Sequence, residues 1–154
     1  MPKKRLHRVA VYLMDPDRRR IMLERVEVSG HRSQYTVPTR GLSDHETPYE
    51  TARNLVRELA GTDMNLLSYP DSIPAVLDFQ TLRLQAPLFI ELIYVDSEKD
   101  YVDMVYLGVA RKATEFPERG RLGWFNAEDL VGNTAPKYVK RAVRQILRLV
   151  HGQN

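Results

Sequence analysis

Pro38-Thr39-Arg40-Gly41-Leu42-Ser43-Asp44-His45-Glu46-Thr47-Pro48, running on through Tyr49-Glu50 to Glu58-Leu59-Ala60-Gly61, decides how this 154-residue chain is read. Pro38 stops a short β-prone run, Tyr35–Pro38, and Gly41 opens a polar loop. Thr47, Pro48 and Glu50 then supply an N-cap, a proline at the first helical position and a glutamate at the third. The helix is predicted to reach Ala60 and to stop at Gly61. Ala52, Leu55, Val56 and Leu59 recur at i, i+3, i+4 and i+7, an apolar stripe suited to packing on a sheet.

Upstream, His7–Met14 and Ile21–Val26 are β-prone and are separated by Asp15-Pro16-Asp17, so they are expected to form a hairpin with Arg18-Arg19-Arg20 at its solvated tip. Downstream, one strand is expected near Ala75–Phe79. Leu88–Val95 and Val102–Ala110 should form a second hairpin across the polar loop 96–100. Arg121–Phe125 reads as a short strand and 126–130 as a helical turn. A last helix starts at Pro136, with Val139, Ala142, Val143, Ile146, Leu147 and Val150 inward and Lys137, Lys140, Arg141, Arg144 and Arg148 in water.

At 43% hydrophobic, the chain is sized for one domain, 1–154, with a sizeable core. It has no cysteine, which excludes disulfide scaffolds, thiolate metal sites and thiol nucleophiles. No apolar run approaches the roughly 20 residues that cross a bilayer, and no apolar segment follows the basic N-terminus, so a cytoplasmic protein with no membrane partner is expected. The formal net charge of +3 hides an uneven distribution. Residues 1–40 carry 10 basic and 4 acidic side chains, residues 41–110 carry 4 and 12, and residues 111–154 carry 9 and 4. An acidic middle could gather a divalent cation while basic ends meet phosphate. His7, His31, His45 and His151 lack metal-ligand spacing, and no P-loop, nucleophile elbow or zincin motif is present.

The stretch 40–61 resembles the Nudix box, a loop-helix-loop of pattern G-x5-E-x7-R-E-U-x-E-E-x-G-U in which U is aliphatic. Tyr101–Tyr106 resembles that family's later strand, and Gly123-Trp124-Phe125 before Glu128-Asp129-Leu130 resembles the segment preceding its last helix. The resemblance implies an α/β/α sandwich around a mixed sheet, with the box helix on one side and the C-terminal helix on the other. Without gaps, Glu46, Val56, Glu58 and Gly61 fall on box positions. Arg40 stands for the opening glycine, Asn54 for the arginine, and Leu55 and Leu59 for two glutamates. A gapped register instead aligns Arg57-Glu58-Leu59 with the R-E-U triplet, and leaves Gly61 and Thr62 where the glutamate pair belongs.

In the family such glutamates hold Mg²⁺ from one helix face and so assist attack of water on a diphosphate. The resemblance therefore implies a divergent hydrolase of a nucleotide-like small molecule using Mg²⁺ or Mn²⁺. Glu58 and Glu46 are its expected catalytic residues, and Glu58, Glu50 and Asn54 the candidate metal ligands. Gly41, Arg32 and Tyr35 are the candidate substrate contacts, and Asp103, Glu98 or Glu115 the general base. The alternative is a scaffold that kept the fold, lost the chemistry and binds a nucleotide, a sugar nucleotide or RNA. The two leucines favour that alternative, and tolerance of box variation in the family weighs slightly toward the hydrolase. A nucleic-acid partner would require the basic ends to converge on one face. A homodimer is a further expectation from the family.

Overall fold

The computed structural model describes residues 2–28, 30, 32–67, 84, 86–118 and 120–152. Among these residues a mixed eight-stranded sheet is built on one long pairing. β1 (Lys4–Met14) and β7 (Lys99–Ala110) run parallel over eleven registered pairs, from Lys4 opposite Lys99 to Met14 opposite Val109. β2 (Ile21–Val28) returns antiparallel from β1, and β3 (Arg32–Thr36) and β8 (Leu122–Phe125) both pair with it. β4 (Thr39–Gly41) pairs with β1, while β5 (Met64–Leu66) and β6 (Phe89–Tyr94) pair with β7. A 3-10 turn (Ala127–Asp129), closed by Asn126 and Asp129 capping each other, precedes α2 (Lys137–Val150).

Strand alternation divides the core in two. Val9, Val11 and Leu13 of β1 and Tyr106 of β7 face α1 (Pro48–Ala60), which buries Ala52, Leu55 and Val56 on them. Ala10, Tyr12 and Met14, with Val105 and Leu107, face α2, which buries Val139, Ala142, Val143 and Ile146. These layers are the α/β/α sandwich and mixed sheet expected from the sequence. Central strands buried on both faces explain the unbroken apolar runs in β1 and β7.

Several boundaries differ from the sequence reading. β1 begins at Lys4 because Arg5 donates two hydrogen bonds to the buried Asp100, at 3.0 and 3.1 Å, so two charged residues are drawn into strand pairing. β7 accordingly starts at Lys99, and the hairpin loop shortens to a turn in which the Asp96 carboxylate accepts from the amides of Glu98 and Lys99. Pro38 divides the third strand into β3 and β4 rather than ending it, since the following residues recover pairing with β1. β5 has no counterpart in the sequence reading, being only three residues long. The strand expected near Ala75–Phe79 and His31 lie outside the described residues. No helix among the described residues is long and apolar enough to cross a membrane.

Candidate functional site

The loop after β4 and the helix α1 carry most of the residues singled out in the sequence. Thr47 is the N-cap, its hydroxyl accepting from the Glu50 amide at 3.2 Å and donating to the Glu50 carboxylate at 3.1 Å. Gly61 ends the helix at φ 66°, a left-handed conformation that costs a side chain energy, with its amide donating to the Arg57 carbonyl. Helix limits, cap and stop all agree with the sequence reading.

On this helix the ungapped box positions acquire definite partners. Leu55 is 4% exposed and packs among Val9, Val11, Leu13 and Met22, with Leu59 half-buried against the same cluster. Both leucines face the sheet. Glu58 is exposed on the next face and forms a two-pronged ion pair with Arg40: one guanidinium nitrogen is 3.1 Å from Oε1, and the other binds Oε2. That hydrogen bonding holds the Glu58 carboxyl below the usual range. Arg40 reaches it because Arg40 is registered opposite Val9, and residues directly opposite in antiparallel strands share a face. Glu46 accepts from the Asn54 amide and from the Ser43 hydroxyl at 3.5 Å. Glu46 and Asn54 thus meet, Glu58 lies one turn beyond Asn54, and Glu50 is committed to the cap.

The other residues lie elsewhere. Gly41 is registered opposite Arg8, its φ is not left-handed, and a Cβ there would meet nothing within 4 Å among the described residues. No backbone requirement selects glycine, which leaves open surface beside the strand. Arg32 is exposed on β3, opposite Val28. Tyr35 packs on Phe125 at 4.6 Å between ring centroids and donates its hydroxyl to the Gly120 carbonyl at 3.2 Å. It also borders a 410 Å³ cavity with Arg20, Glu115, Phe116 and Trp124, the last two rings stacked at 5.2 Å. Glu115 is thereby placed near Tyr35 rather than near Glu58, and Glu98 sits in the β6–β7 turn.

Asp103 is 1% exposed and takes two 2.8 Å hydrogen bonds from Arg8, whose guanidinium lies 3.6 Å from the Tyr101 ring centroid. This pair faces α2, on the side of the sheet opposite the box helix. Sequence reasoning missed two neighbours of Asp103. Glu91, registered opposite Asp103, has its carboxyl pushed up by burial and then by the Asp103 charge, against a downward pull from Arg141. The Tyr12 hydroxyl is buried with no hydrogen-bond partner among the described residues, and burial drives its pKa well up. Strict alternation along β6 would have flagged Glu91 only once the face of Asp103 was known: Phe89, Glu91 and Ile93 turn inward while Ile90, Leu92 and Tyr94 are exposed.

A hard divalent cation prefers several converging carboxylate oxygens. The donors on α1 do not fit that requirement. Two of the box positions are core leucines, Glu58 is neutralised by a guanidinium of the same chain and Glu46 is engaged by an amide. Among the described residues no three acidic or histidine side chains are placed to hold a metal.

No protein-family model and no curated protein sequence matches the chain. Solved structures do. A Nudix-family hydrolase from Clostridium perfringens superposes with a TM-score of 0.69 at 19% identity, covering 96% of this chain and 99% of its own. The MutT protein from Methanosarcina mazei Go1 gives 0.65 at 15% identity, covering 97% and 98%. A UDP-X diphosphatase gives 0.60 at 13% identity, covering all of this chain and 66% of its own. At these identities the likeness establishes the fold, which is the Nudix fold.

Proposed function

We propose, with the Nudix fold as premise, that this protein is a binding module for a phosphate-bearing, nucleotide-like small molecule and that its box no longer performs metal-assisted hydrolysis. The observation that carries this reading is the Arg40–Glu58 ion pair beside a core-facing Leu55. Where the family's pattern opens on a glycine and gathers carboxylates around a cation, this chain supplies its own cation. Arg40 presents five N–H donors in a planar fork suited to phosphate oxygens as well as to a carboxylate. A ligand phosphate can therefore compete with Glu58 for Arg40, with no divalent ion between them. The cavity at Tyr35, Phe116 and Trp124 offers aromatic walls for a ring. The UDP-X diphosphatase among the structural relatives acts on a nucleotide-linked diphosphate by its name, which is the chemical class proposed here for the ligand.

The test is calorimetric titration with ADP, ADP-ribose and UDP-sugars in the presence of Mg²⁺ or EDTA, alongside product release from the same compounds. Binding that is unchanged by EDTA and weakened at least tenfold in Arg40→Gln, with no product formed, is the expected result. Product formation that requires Mg²⁺ or Mn²⁺ and vanishes in Glu58→Gln would overturn it, and would assign hydrolysis to Glu58 with Glu46, Glu50 and Asn54 in support.

A further inference from the structure

The cationic side chains of α2 and the tip of the β1–β2 hairpin form one continuous surface, remote from the box in the fold. α2 carries Lys137, Lys140, Arg141, Arg144 and Arg148 and no acidic residue. Two adjoining cavities, of 630 and 420 Å³, are both lined by Arg144 and Arg148. The larger is also lined by Arg19 from the hairpin tip, and the smaller by Lys137, Lys140 and Arg141 of α2. Arg19 is thus the N-terminal-segment cation that borders the cationic face of α2. Lys140 spends one donor on the Gly132 carbonyl at 2.6 Å, and Arg141 is felt by Glu91. Arg19, Arg144 and Arg148 make no ion pair among the described residues, and Glu128 is the acidic side chain on the cavity wall.

We propose that this face binds the phosphate backbone of a duplex nucleic acid, independently of base sequence. The geometry favours that partner over other polyanions. From Lys137 to Arg148 the helix rises about 16 Å at about 1.5 Å per residue. That length matches about five phosphates at about 3.4 Å each along one strand of a duplex. The row is held rigid because the opposite side of α2 is locked in the core, with Val139, Ala142, Val143 and Ile146 at most 2% exposed. With its apolar side buried this way, α2 leaves Leu149 as its exposed large apolar side chain, too little for the apolar face an interfacial helix inserts into a bilayer. Among the described residues neither cavity is lined by a Phe, Tyr or Trp ring, the broad platform on which single-stranded bases stack; His151 is the one ring, in the larger cavity. Arginine predominates over lysine in the shared wall, which suits bidentate contact to phosphate oxygens.

The experiment is fluorescence anisotropy of a labelled 20-base-pair DNA duplex with the full chain, in 50 and 200 mM KCl. Neutralising three to five phosphates should weaken binding about 40- to 500-fold over that fourfold change in salt. Arg144→Gln with Arg148→Gln should lower the slope of log affinity against log salt by about two and leave the melting temperature unchanged. Arg57→Gln with Arg111→Gln removes the same charge from α1 and the end of β7 and should leave affinity within twofold. A second duplex of unrelated sequence should bind equally. Failure to bind at 50 mM salt, equal loss in both double variants, tighter binding of the single strand, or preferential binding to phosphatidylserine vesicles would each overturn the proposal. None of these outcomes bears on the Arg40 site, which is tested with small ligands.

Discussion

Restoring a family carboxylate at position 55 should destabilise the protein rather than build a metal site. Leu55 is 4% exposed, and its burial against β1 and β2 contributes about 2–3 kcal/mol. Leu55→Glu forfeits most of that and places a carboxyl among Val9, Val11 and Met22, where it has no partner and costs about 2–3 kcal/mol more. The sum, about 4–6 kcal/mol, is comparable with the whole stability of an ordinary domain. At about 2–4 °C per kcal/mol, the melting temperature should fall by about 10–20 °C. The introduced carboxyl would have a raised pKa in the folded state, so the folded protein would bind more protons than the unfolded one. Stability should then decline further as pH rises from about 5 to 8. Leu59→Glu, half-buried at the end of the helix, should cost only about 1–2 kcal/mol. Differential scanning calorimetry of both variants with and without Mg²⁺ checks the reasoning. A Leu55→Glu protein melting within about 3 °C of wild type, and stabilised by Mg²⁺, would refute it by showing that position 55 can turn outward to a cation.

Asp103→Ala should cost about 3 kcal/mol by urea titration, because it strands the Arg8 guanidinium between Tyr101 and the sheet, and Arg8→Ala should cost a similar amount. Glu91 has a folded-state carboxyl raised above its ordinary 4.5, so its contribution is complete below that pH and is lost as pH climbs through the raised value. Glu91→Gln should therefore flatten the fall in stability as pH rises above the ordinary carboxylate range and stabilise the protein at neutral pH, read from urea midpoints across a pH series. Thr47→Ala removes the N-cap of α1 and should cost about 1 kcal/mol by the same titration.

The helix α1 was legible because its signals are local: Thr47, Pro48, Glu50 and Gly61 act within a turn of where they stand. Apolar periodicity told which face of each helix must be covered, while the layer order was legible only through the resemblance of residues 40–61 to the Nudix box. Partnerships across the sheet were not legible in the same way. That Arg5 meets Asp100 and Arg8 meets Asp103 depends on β1 lying parallel to β7, a register no nearby residue announces. The candidate site shows the same limit. The leucines at 55 and 59 could be seen to conflict with the metal chemistry of the box, whereas the pairing of Arg40 with Glu58 required knowing that β4 folds back along β1 opposite Val9. The aromatic cavity at Tyr35 is assembled from residues some ninety positions apart, and composition alone does not assemble it.

The parallel β1–β7 pairing also sets a timetable. Each of its registered partners is separated by 95 residues of chain, from Lys4 with Lys99 onward. Closing so long a loop comes before any reward from pairing, which slows folding relative to local hairpins. During synthesis at about 5–20 residues per second, Val9, Val11 and Leu13 leave the ribosome some 5–20 seconds before the strand that will cover their edge. In that interval the β1–β2 hairpin is an open apolar template, and chaperone capture or self-association of nascent chains should centre on it.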